Sequence, residues 1–435
     1  MVVKRFFSIF MALLLVAVLD NSAQALTVEQ QLGEALYFDE SLSLNSNQSC
    51  ASCHDPASGF VDPRNTAANA TLPSTQPPPE FFPVSLGSED GVSPNGGPLF
   101  GGLNAPSAAY AAFSPFFHWN GIDGLYVGGQ FWNGRANTLA EQAAGPFLNP
   151  VEMAMPDKWA VVDRLRTSLA PDYKSMFQDV YDLDLSAIPA YTSPVPVPEA
   201  DFPPGVQEVY DRMAKAIGEF EKSSQFNSFD SKFDYFLAGM VELTPEEEKG
   251  MKLFNGKAKC NLCHLSEQTL ASDGTGLVPP VFTDFTYDNL GLPQNHYIPG
   301  TPVDSGLGGR SDIADPLGLQ LGKHKVMSLR NIELTRPYGH NGVFQTLEEI
   351  VHFYNTRDVL LPCDPALGNT DPGFGLTCWP QAEVPQNVNT AELGNLALSA
   401  KQEAAVVAFL MTLTDGWGAA NGMPELPAVV MPPIP

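Results

Sequence analysis

The sequence is poor in basic residues, and it has no long apolar run after Val18. Only 23 of its 435 residues are Lys or Arg, against 49 Asp or Glu, which gives a formal net charge of −26. A molecule of this sign repels nucleic acid and anionic membranes, so we expect neither as a partner. A basic redox protein is compatible with the charge. The missing apolar runs argue against a membrane-spanning helix in the rest of the chain.

The single apolar stretch lies at the amino terminus, from Phe6 to Val18. It follows Lys4 and Arg5, and Ala23-Gln24-Ala25 has the small-x-small form of a signal-peptidase site. We interpret residues 1–25 as a cleaved secretory signal, with an uncleaved anchor as the alternative. After cleavage the protein is expected to be soluble, with no membrane attachment.

Cysteine is scarce, and four of the six cysteines belong to two copies of one pattern. In each copy two thiols stand three residues apart and a histidine follows at once. The thiols can add to the vinyl groups of a haem, and the imidazole can then ligate the iron. A zinc site or a redox dithiol is the alternative, but about two hundred residues separate the copies. We predict two covalently bound c-type haems. The first would use Cys50, Cys53 and His54, and the second Cys260, Cys263 and His264.

The two remaining cysteines, Cys363 and Cys378, flank a loop rich in Pro, Gly, Asn and Asp. Export and c-type haem attachment together indicate the periplasm, which is an oxidising compartment. We therefore predict a disulfide between these two residues, with two free thiols as the alternative.

Alternating strand patterns are almost absent, whereas several helix starts are well marked. Thr244 to Glu247 forms a capping box with proline at the first helical position, and Ser399 to Gln402 opens a helix with one apolar face. A helix on either side of a CxxCH motif is typical of a small c-type cytochrome domain. We predict a mainly α fold of two tandem cytochrome-c-like haem domains, at 26–240 and 241–435, with long loops that include an insert at 73–102.

Two segments carry a specific resemblance. Gln130 to Ala136 (QFWNGRA) and Gly145 to Met153 (GPFLNPVEM) resemble the bacterial di-haem cytochrome c peroxidase and MauG superfamily. The resemblance covers nearly the whole mature chain, and it also includes Leu36–Asp39, Leu329–Asn331 and Thr335–Gly342. It implies a haem oxidoreductase that reacts with hydrogen peroxide at the N-terminal haem and relays electrons through the C-terminal haem.

The resemblance also implies roles for residues between the two haem motifs. Trp132 matches a tryptophan between the haems, with a core aromatic as the alternative. Glu152 matches the distal acid/base, and Gln142 and Pro146 lie beside it in the family's pocket. A carboxylate there can move a proton from the iron-bound peroxide oxygen to the departing one, so that water leaves rather than hydroxide. The alternative for Glu152 is a solvated surface charge.

The sixth iron ligands distinguish the subtypes of this superfamily. No histidine occurs in 55–102, so the first haem should lack a distal histidine and be open to peroxide. His118 is expected to be structural. At the second haem, peroxidase members have a methionine fourteen residues after the position of His340, whereas this chain has Tyr354, as MauG-like proteins do. A phenolate ligand lowers the iron potential and suits the storage of oxidising equivalents. A core tyrosine is the alternative, and Met327 is the fallback ligand.

The family pattern further implies a calcium ion held by Asn104 and by the backbone carbonyls of Thr335 and Pro337, because hard oxygen ligands suit Ca²⁺. An ordinary loop Asn and a proline turn are the alternative. Three uses of the haems remain open. Electrons could come from a donor cytochrome or cupredoxin, the oxidising equivalents could modify a partner protein as in MauG-like enzymes, or the chain could be a pure electron carrier.

Overall fold

The computed structural model describes residues 25–66, 84–85, 87–88, 101–270, 277–298, 303–427 and 429. The predicted signal peptide, apart from residue 25, and most of the insert at 73–102 lie outside the described residues. Within those residues the fold is mainly α, as predicted. The helices are α1 (Val28–Tyr37), α2 (Cys50–Cys53), α3 (Pro63–Thr66), α4 (Leu139–Ala144), α5 (Lys158–Thr167), α6 (Tyr173–Tyr181), α7 (Val206–Glu221), α8 (Lys232–Leu237), α9 (Pro245–Phe254), α10 (Leu347–Thr356), α11 (Ala400–Met411) and α12 (Trp417–Ala420).

Strands are short and occur as four separate pairs in the described residues. The strands are β1 (His118–Asn120), β2 (Leu125–Val127), β3 (Thr269–Leu270), β4 (Leu277–Val278), β5 (Tyr287–Asp288), β6 (His324–Lys325), β7 (Leu361–Pro362) and β8 (Cys378–Trp379). The pairs β1–β2, β3–β4 and β5–β6 are antiparallel, whereas β7–β8 is parallel. A disulfide joins Cys363 to Cys378, with the sulfurs 2.01 Å apart, beside the β7–β8 pair.

The first hydrophobic core forms around α1 and α7. Thr27 caps α1 in a capping box with Gln30, and the helix buries Leu32 and Leu36. The two helices approach closely at Gly33, where an added Cβ would lie 2.0 Å from the Ala216 carbonyl oxygen. Only glycine permits this contact, because any side chain would force the helices apart.

The second hydrophobic core forms around α9 and α11 and uses the same device. An added Cβ at Gly250 would lie 1.8 Å from the Ala405 carbonyl oxygen. The predicted capping box of Thr244 with Glu247 is present, and Ser399, which was predicted to open a helix, forms a capping box with Gln402. Local sequence therefore fixes where these helices begin, and glycine fixes how closely they pack.

Helix α8 belongs to the second core although it precedes α9 by several residues. The ring of Phe233 lies 5.5 Å from that of Phe409 and 5.4 Å from that of Phe282. The neighbouring Asp234 forms a buried ion pair with Arg330, with a shortest nitrogen–oxygen distance of 2.6 Å. This segment therefore links the chain before α9 to the chain after the second CxxCH motif.

The longest described helix, α7, has 16 residues. Across the part of the chain that the structure describes, no helix combines the length and the apolar character needed to cross a bilayer.

Candidate active site and haem sites

The second CxxCH motif places its histidine as an iron ligand requires. His264 Nδ1 donates to the Phe282 carbonyl oxygen at 2.8 Å, which leaves the Nε2 lone pair free. Burial lowers the pKa of His264 to about 4, and the hydrogen bonds to backbone carbonyls offset this only in part. The imidazole is thus neutral at neutral pH, which is the form that binds a metal.

A cavity of about 220 Å³ adjoins this histidine. His264 and Tyr354 line it together, and they also line a second cavity of about 70 Å³. Cys260 lines both cavities, and Cys263 lines the larger one. Two thiols, an imidazole and a phenol therefore surround the larger cavity, which is mostly apolar and fits a covalently held haem. Met327 also lines the larger cavity, so the fallback ligand is in reach of the same space.

Helix α10 positions Tyr354. Thr346 caps the helix by accepting from the Glu349 amide, as the sequence indicates. Leu347, Ile350 and Val351 line the smaller cavity with Tyr354, so these residues share the inward face of the helix. Burial raises the pKa of the Tyr354 phenol well above its usual value, and the neighbouring Cys260 and Cys263 add to this. A phenolate therefore needs a compensating cation, which ferric iron would provide.

The first CxxCH motif shows the same arrangement around His54. Its Nδ1 donates to the Phe60 carbonyl oxygen at 3.2 Å, and burial lowers the pKa of the imidazole. The Tyr37 hydroxyl donates to the His54 carbonyl at 2.7 Å and ties the motif to α1. Cys50 and Cys53 begin and end the short helix α2. These residues fit a second covalently attached haem.

Glu152 lines a separate cavity of about 390 Å³. Pro146 lines it too, as predicted, but the described residues around it include Glu141 rather than Gln142. Burial raises the pKa of Glu152, while Arg135 and a hydrogen bond to Asn149 partly oppose the rise. A largely enclosed carboxyl with a raised pKa holds a proton more readily than an exposed glutamate does, which suits an acid/base.

Arg135 is the functional candidate that the sequence reasoning missed at this cavity. Its guanidinium stands 3.4 Å from the centroid of the Phe131 ring and faces the same space as Glu152. Its signal in the sequence is its position at the end of the FWNGR segment.

The positions of the histidines indicate whether the first haem has a distal histidine ligand. His118 lies on the exposed β1–β2 hairpin, and its Nδ1 donates to the Phe116 carbonyl at 2.8 Å. No histidine occurs among the described residues that line the Glu152 cavity. The absence of a distal histidine stays a prediction.

Trp132 lines the larger haem cavity, and its indole N–H donates to the Asn104 carbonyl at 2.8 Å. Its ring meets His324 and His340 edge to face, at 6.4 and 6.3 Å. These two imidazoles stack on each other at 3.6 Å. In the sequence, His340 serves only as the reference position from which Tyr354 is located, and no pattern there points to His324. Each imidazole also pairs with a carboxylate: His324 with Asp304 at 2.9 Å, and His340 with Glu383 at a shorter distance.

The proposed calcium residues lie together at the edge of the larger haem cavity. Asn104, Thr335 and Pro337 all line it. The Asn104 amide nitrogen contacts the Pro337 carbonyl oxygen at 2.6 Å, while Asn104 Oδ1 is buried without a hydrogen-bond partner. A buried orphan oxygen beside backbone carbonyls is a donor set that a hard cation would satisfy.

Comparison with known proteins places these features in a family. A family model described as di-haem cytochrome c peroxidase matches residues 27–242. The methylamine utilization protein MauG of Paracoccus denitrificans is 38% identical over 392 residues, which cover 88% of either chain. Cytochrome c peroxidase Ccp of Escherichia coli is 30% identical over 322 residues, 74% of this chain and 51% of that one.

Solved structures agree. The diheme peroxidase BthA of Burkholderia thailandensis is 25% identical, with a TM-score of 0.66 over 91% of this chain and 88% of that chain. A MauG-like protein associated with microbial copper homeostasis is 26% identical, with a TM-score of 0.58 over 91% of either chain.

Proposed function

This chain belongs to the di-haem cytochrome c peroxidase and MauG family of oxidoreductases, and we propose that it reacts with hydrogen peroxide at its N-terminal haem while Tyr354 ligates the iron of its C-terminal haem. Membership in the family implies two c-type haems, with hydrogen peroxide and a redox or protein-substrate partner. The observation that carries the ligand proposal is that Tyr354 and His264 line the same two cavities.

When bound, the haems supply iron that takes oxidising equivalents from peroxide, which is reduced to water. The chain's own residues would then divide the work. His54 offers Nε2 to the first iron because its Nδ1 is held by the Phe60 carbonyl. Glu152 would accept a proton from hydrogen peroxide and return it to the oxygen that leaves as water. Pro146 shapes the same cavity, and we propose Gln142 as a neighbouring polar group on α4.

The Tyr354 proposal predicts a specific spectroscopic loss. In Tyr354→Phe the second iron loses an anionic ligand, so the low-spin His/Tyr signal should be replaced by a high-spin signal. The reduction potential should rise on the order of 0.1 V, within the roughly 0.8 V range that axial ligands span. Electron paramagnetic resonance and a potentiometric titration of the ferric holoprotein measure both effects.

Tyr338→Phe is the matched control, because Tyr338 lines the same cavities while its hydroxyl donates to the Ile332 carbonyl at 2.8 Å. This variant should keep the low-spin signal. Retention of the signal in Tyr354→Phe would instead assign the ligand to Met327.

Two uses of the stored equivalents compete. Similarity to MauG along 88% of the chain and a tyrosine at the second haem favour oxidation of a partner protein. A donor cytochrome or cupredoxin would instead make the chain a peroxidase in the strict sense. A pure electron carrier is disfavoured, because a carrier needs neither the buried acid Glu152 nor an open cavity beside it.

Optical spectra of the ferric protein, before and after one equivalent of peroxide, separate these uses. Loss of both ferric signals without prior reduction supports the MauG-like use. A response only after half-reduction would support the donor-dependent cycle, and no fast response would leave the carrier.

We also propose a calcium ion at Asn104, Thr335 and Pro337. Removing it with EGTA should lower the melting temperature, since a ligand at 100 times its dissociation constant stabilises by about 2.7 kcal/mol. Added Ca²⁺ should restore the midpoint better than Mg²⁺, because Mg²⁺ demands a stricter octahedral shell. Asn104→Ala should abolish the response, and Asn137→Ala, at an exposed asparagine, should keep it. Equal melting curves with and without EGTA would rule the site out.

The remaining proposals concern organisation. We propose a signal peptide at 1–25, periplasmic location, and haem domains at 26–240 and 241–435. Phe233 packs in the second hydrophobic core, so α8 contributes to that core although it precedes the proposed boundary.

A further inference from the structure

The β1–β2 hairpin exposes large aromatic and apolar side chains. Trp119 is 51% exposed, and Ile122 at the hairpin turn is 95% exposed. The hairpin carries one formal charge, Asp123. None of the residues that line the haem and Glu152 cavities belongs to it. Trp119 in β1 and Ile122 at the turn together give the hairpin an exposed apolar surface, and contiguous surfaces of this kind mark interaction sites.

Behind Trp119, aromatic rings form a continuous line into the protein. Trp119 meets its cross-strand neighbour Tyr126 edge to face at 4.9 Å. Tyr126 stacks on Phe117 at 5.1 Å, and Phe117 meets Tyr287 edge to face at 5.9 Å. Tyr287 is 6% exposed, so the line runs from solvent to the interior.

The inner end of this line adjoins the cavity of the second haem. Tyr287 pairs with Lys325 across the β5–β6 ladder. Lys325 and Asp288, the next residue after Tyr287, both line the cavity that holds His264 and Tyr354. The Lys325 amide donates to the Trp132 carbonyl at 2.8 Å. Tyr287, the inner end of the line, is thus joined to the haem wall by backbone pairing.

The hairpin is also held rigidly against that wall. The Tyr287 hydroxyl donates to the Gly128 carbonyl, and the Gly128 amide donates to the Phe285 carbonyl at 2.9 Å. Arg310 stands 4.1 Å from the centroid of the Phe117 ring. A rigid contact keeps the ring separations short, as charge transfer between them requires.

We propose that this hairpin is the electron port of the second haem, with Trp119 as the surface residue that exchanges single electrons with an external donor. The proposal rests on the peroxide chemistry proposed above and adds the site and the partner. Overall, hydrogen peroxide takes two electrons and two protons and gives two waters. Each electron would leave one donor molecule and enter through Trp119.

Trp119 is the most exposed oxidisable member of the line, since Tyr126 is half-buried. Tyr287 is buried, its burial raises the pKa of the phenol well above the usual value, and its hydroxyl faces a carbonyl that cannot carry a proton away. The half-exposed indole of Trp119 can lose its proton to water, which makes its oxidised form persist at the surface.

The partner that fits is a small basic redox protein. The port has an apolar centre, and the exposed carboxylates of Asp123 and Asp312 lie at its border. Asp312 is held there by Arg310, the same residue that covers Phe117. The molecule as a whole carries a charge of −26, which would steer a cation toward it. Aromatic side chains are enriched in the centres of such interfaces.

The first test is a peroxide footprint on the holoprotein without donor. An indole that loses two electrons takes up the oxygen of water, so the net change is one peroxide consumed and one oxygen added. Peptide mass spectrometry should find this oxygen on Trp119 well above its level on Trp159. Trp159 is the matched control, because it is partly exposed and meets Tyr191 edge to face at 5.4 Å away from the haem cavities. Cyanide on the irons should abolish the difference.

The second test uses reduced horse heart cytochrome c as donor. Trp119→Phe should slow its peroxide-dependent oxidation about tenfold, whereas Trp159→Phe should not change it. The donor-free reaction of the ferric haems with peroxide should keep its rate in both variants, and high salt should weaken the cytochrome reaction.

The outcomes separate the port from the parent proposal. If the haems do not respond to peroxide at all, the proposed function fails. If they respond but Trp119 gains no more oxygen than Trp159, or if Trp119→Phe oxidises both cytochrome c and a small anionic dye at the parent rate, the port is wrong. If the variant slows only oxidation of the small anionic dye ABTS, the partner class is wrong.

Discussion

Glu152→Gln should lower the rate of peroxide cleavage about 100-fold while leaving the haems and the fold intact, because general acid–base catalysis contributes at least that much. Glutamine keeps the shape of the side chain and its place in the cavity beside Arg135 and Pro146, but it cannot take up a proton. Stopped-flow spectra of the ferric holoprotein mixed with peroxide measure the rate.

The pH dependence gives an independent check on Glu152. Burial raises the pKa of this carboxyl. As the pH is lowered, the rate of peroxide cleavage by the unsubstituted protein should therefore begin to fall at a higher pH than it would with an ordinary glutamate. The carboxylate must accept a proton first, and protonation removes that capacity as the pH decreases through the raised pKa. The Gln variant should lack this limb of the profile.

Glu141→Gln is the matched control for the acid/base prediction. Glu141 lines the same cavity, but one of its carboxylate oxygens accepts from the Asn137 amide at 2.7 Å. We expect less than about a threefold change from this variant, well below the contribution of an acid/base group. A large loss in Glu141→Gln with a normal rate in Glu152→Gln would transfer the role to Glu141.

Arg330→Met should destabilise the protein by about 3–5 kcal/mol, because it strands a buried carboxylate. The Arg330 guanidinium is fully buried and binds both oxygens of Asp234, at 2.6 and 2.9 Å. Its Nε also donates to the Pro280 carbonyl at 2.9 Å. Burial alone would lower the pKa of Arg330, but Asp234 outweighs it and the pKa is raised. Urea unfolding followed by circular dichroism measures the loss.

Two comparisons isolate the ion pair from the substitution itself. Lys252→Met removes an exposed helix pair with Glu248, and it should change stability by no more than about 0.5 kcal/mol. The double variant Arg330→Met with Asp234→Leu should recover part of the stability, because the stranded Asp234 carboxylate is removed while the Asp415 carboxylate, which also interacts with Arg330, stays. If the double variant is as unstable as Arg330→Met, the loss comes from packing against Phe229 rather than from the stranded carboxylate.

Several features of this protein could be predicted from the sequence because they depend on neighbours in the chain. Cys50, Cys53 and His54 are close together whatever the fold, so their spacing alone predicts haem attachment. The capping boxes at Thr244 and Ser399 are local for the same reason, and the structure contains both. The mainly α class follows from many such local signals. The roles of Tyr354 and Glu152 were not local, and they came from the resemblance.

Only the tertiary structure decided the contacts between residues that are far apart in the chain. Arg135 faces the same cavity as Glu152, and His324 stacks on His340, although nothing in their spacing indicates either contact. Phe117 meets Tyr287 across 170 positions of sequence. Such contacts depend on how whole helices and loops pack, and that packing is set by many small terms summed over the interior, such as the close approach at Gly33. Residue spacing therefore determined which cofactor this chain binds, while packing determined which charges and rings surround it.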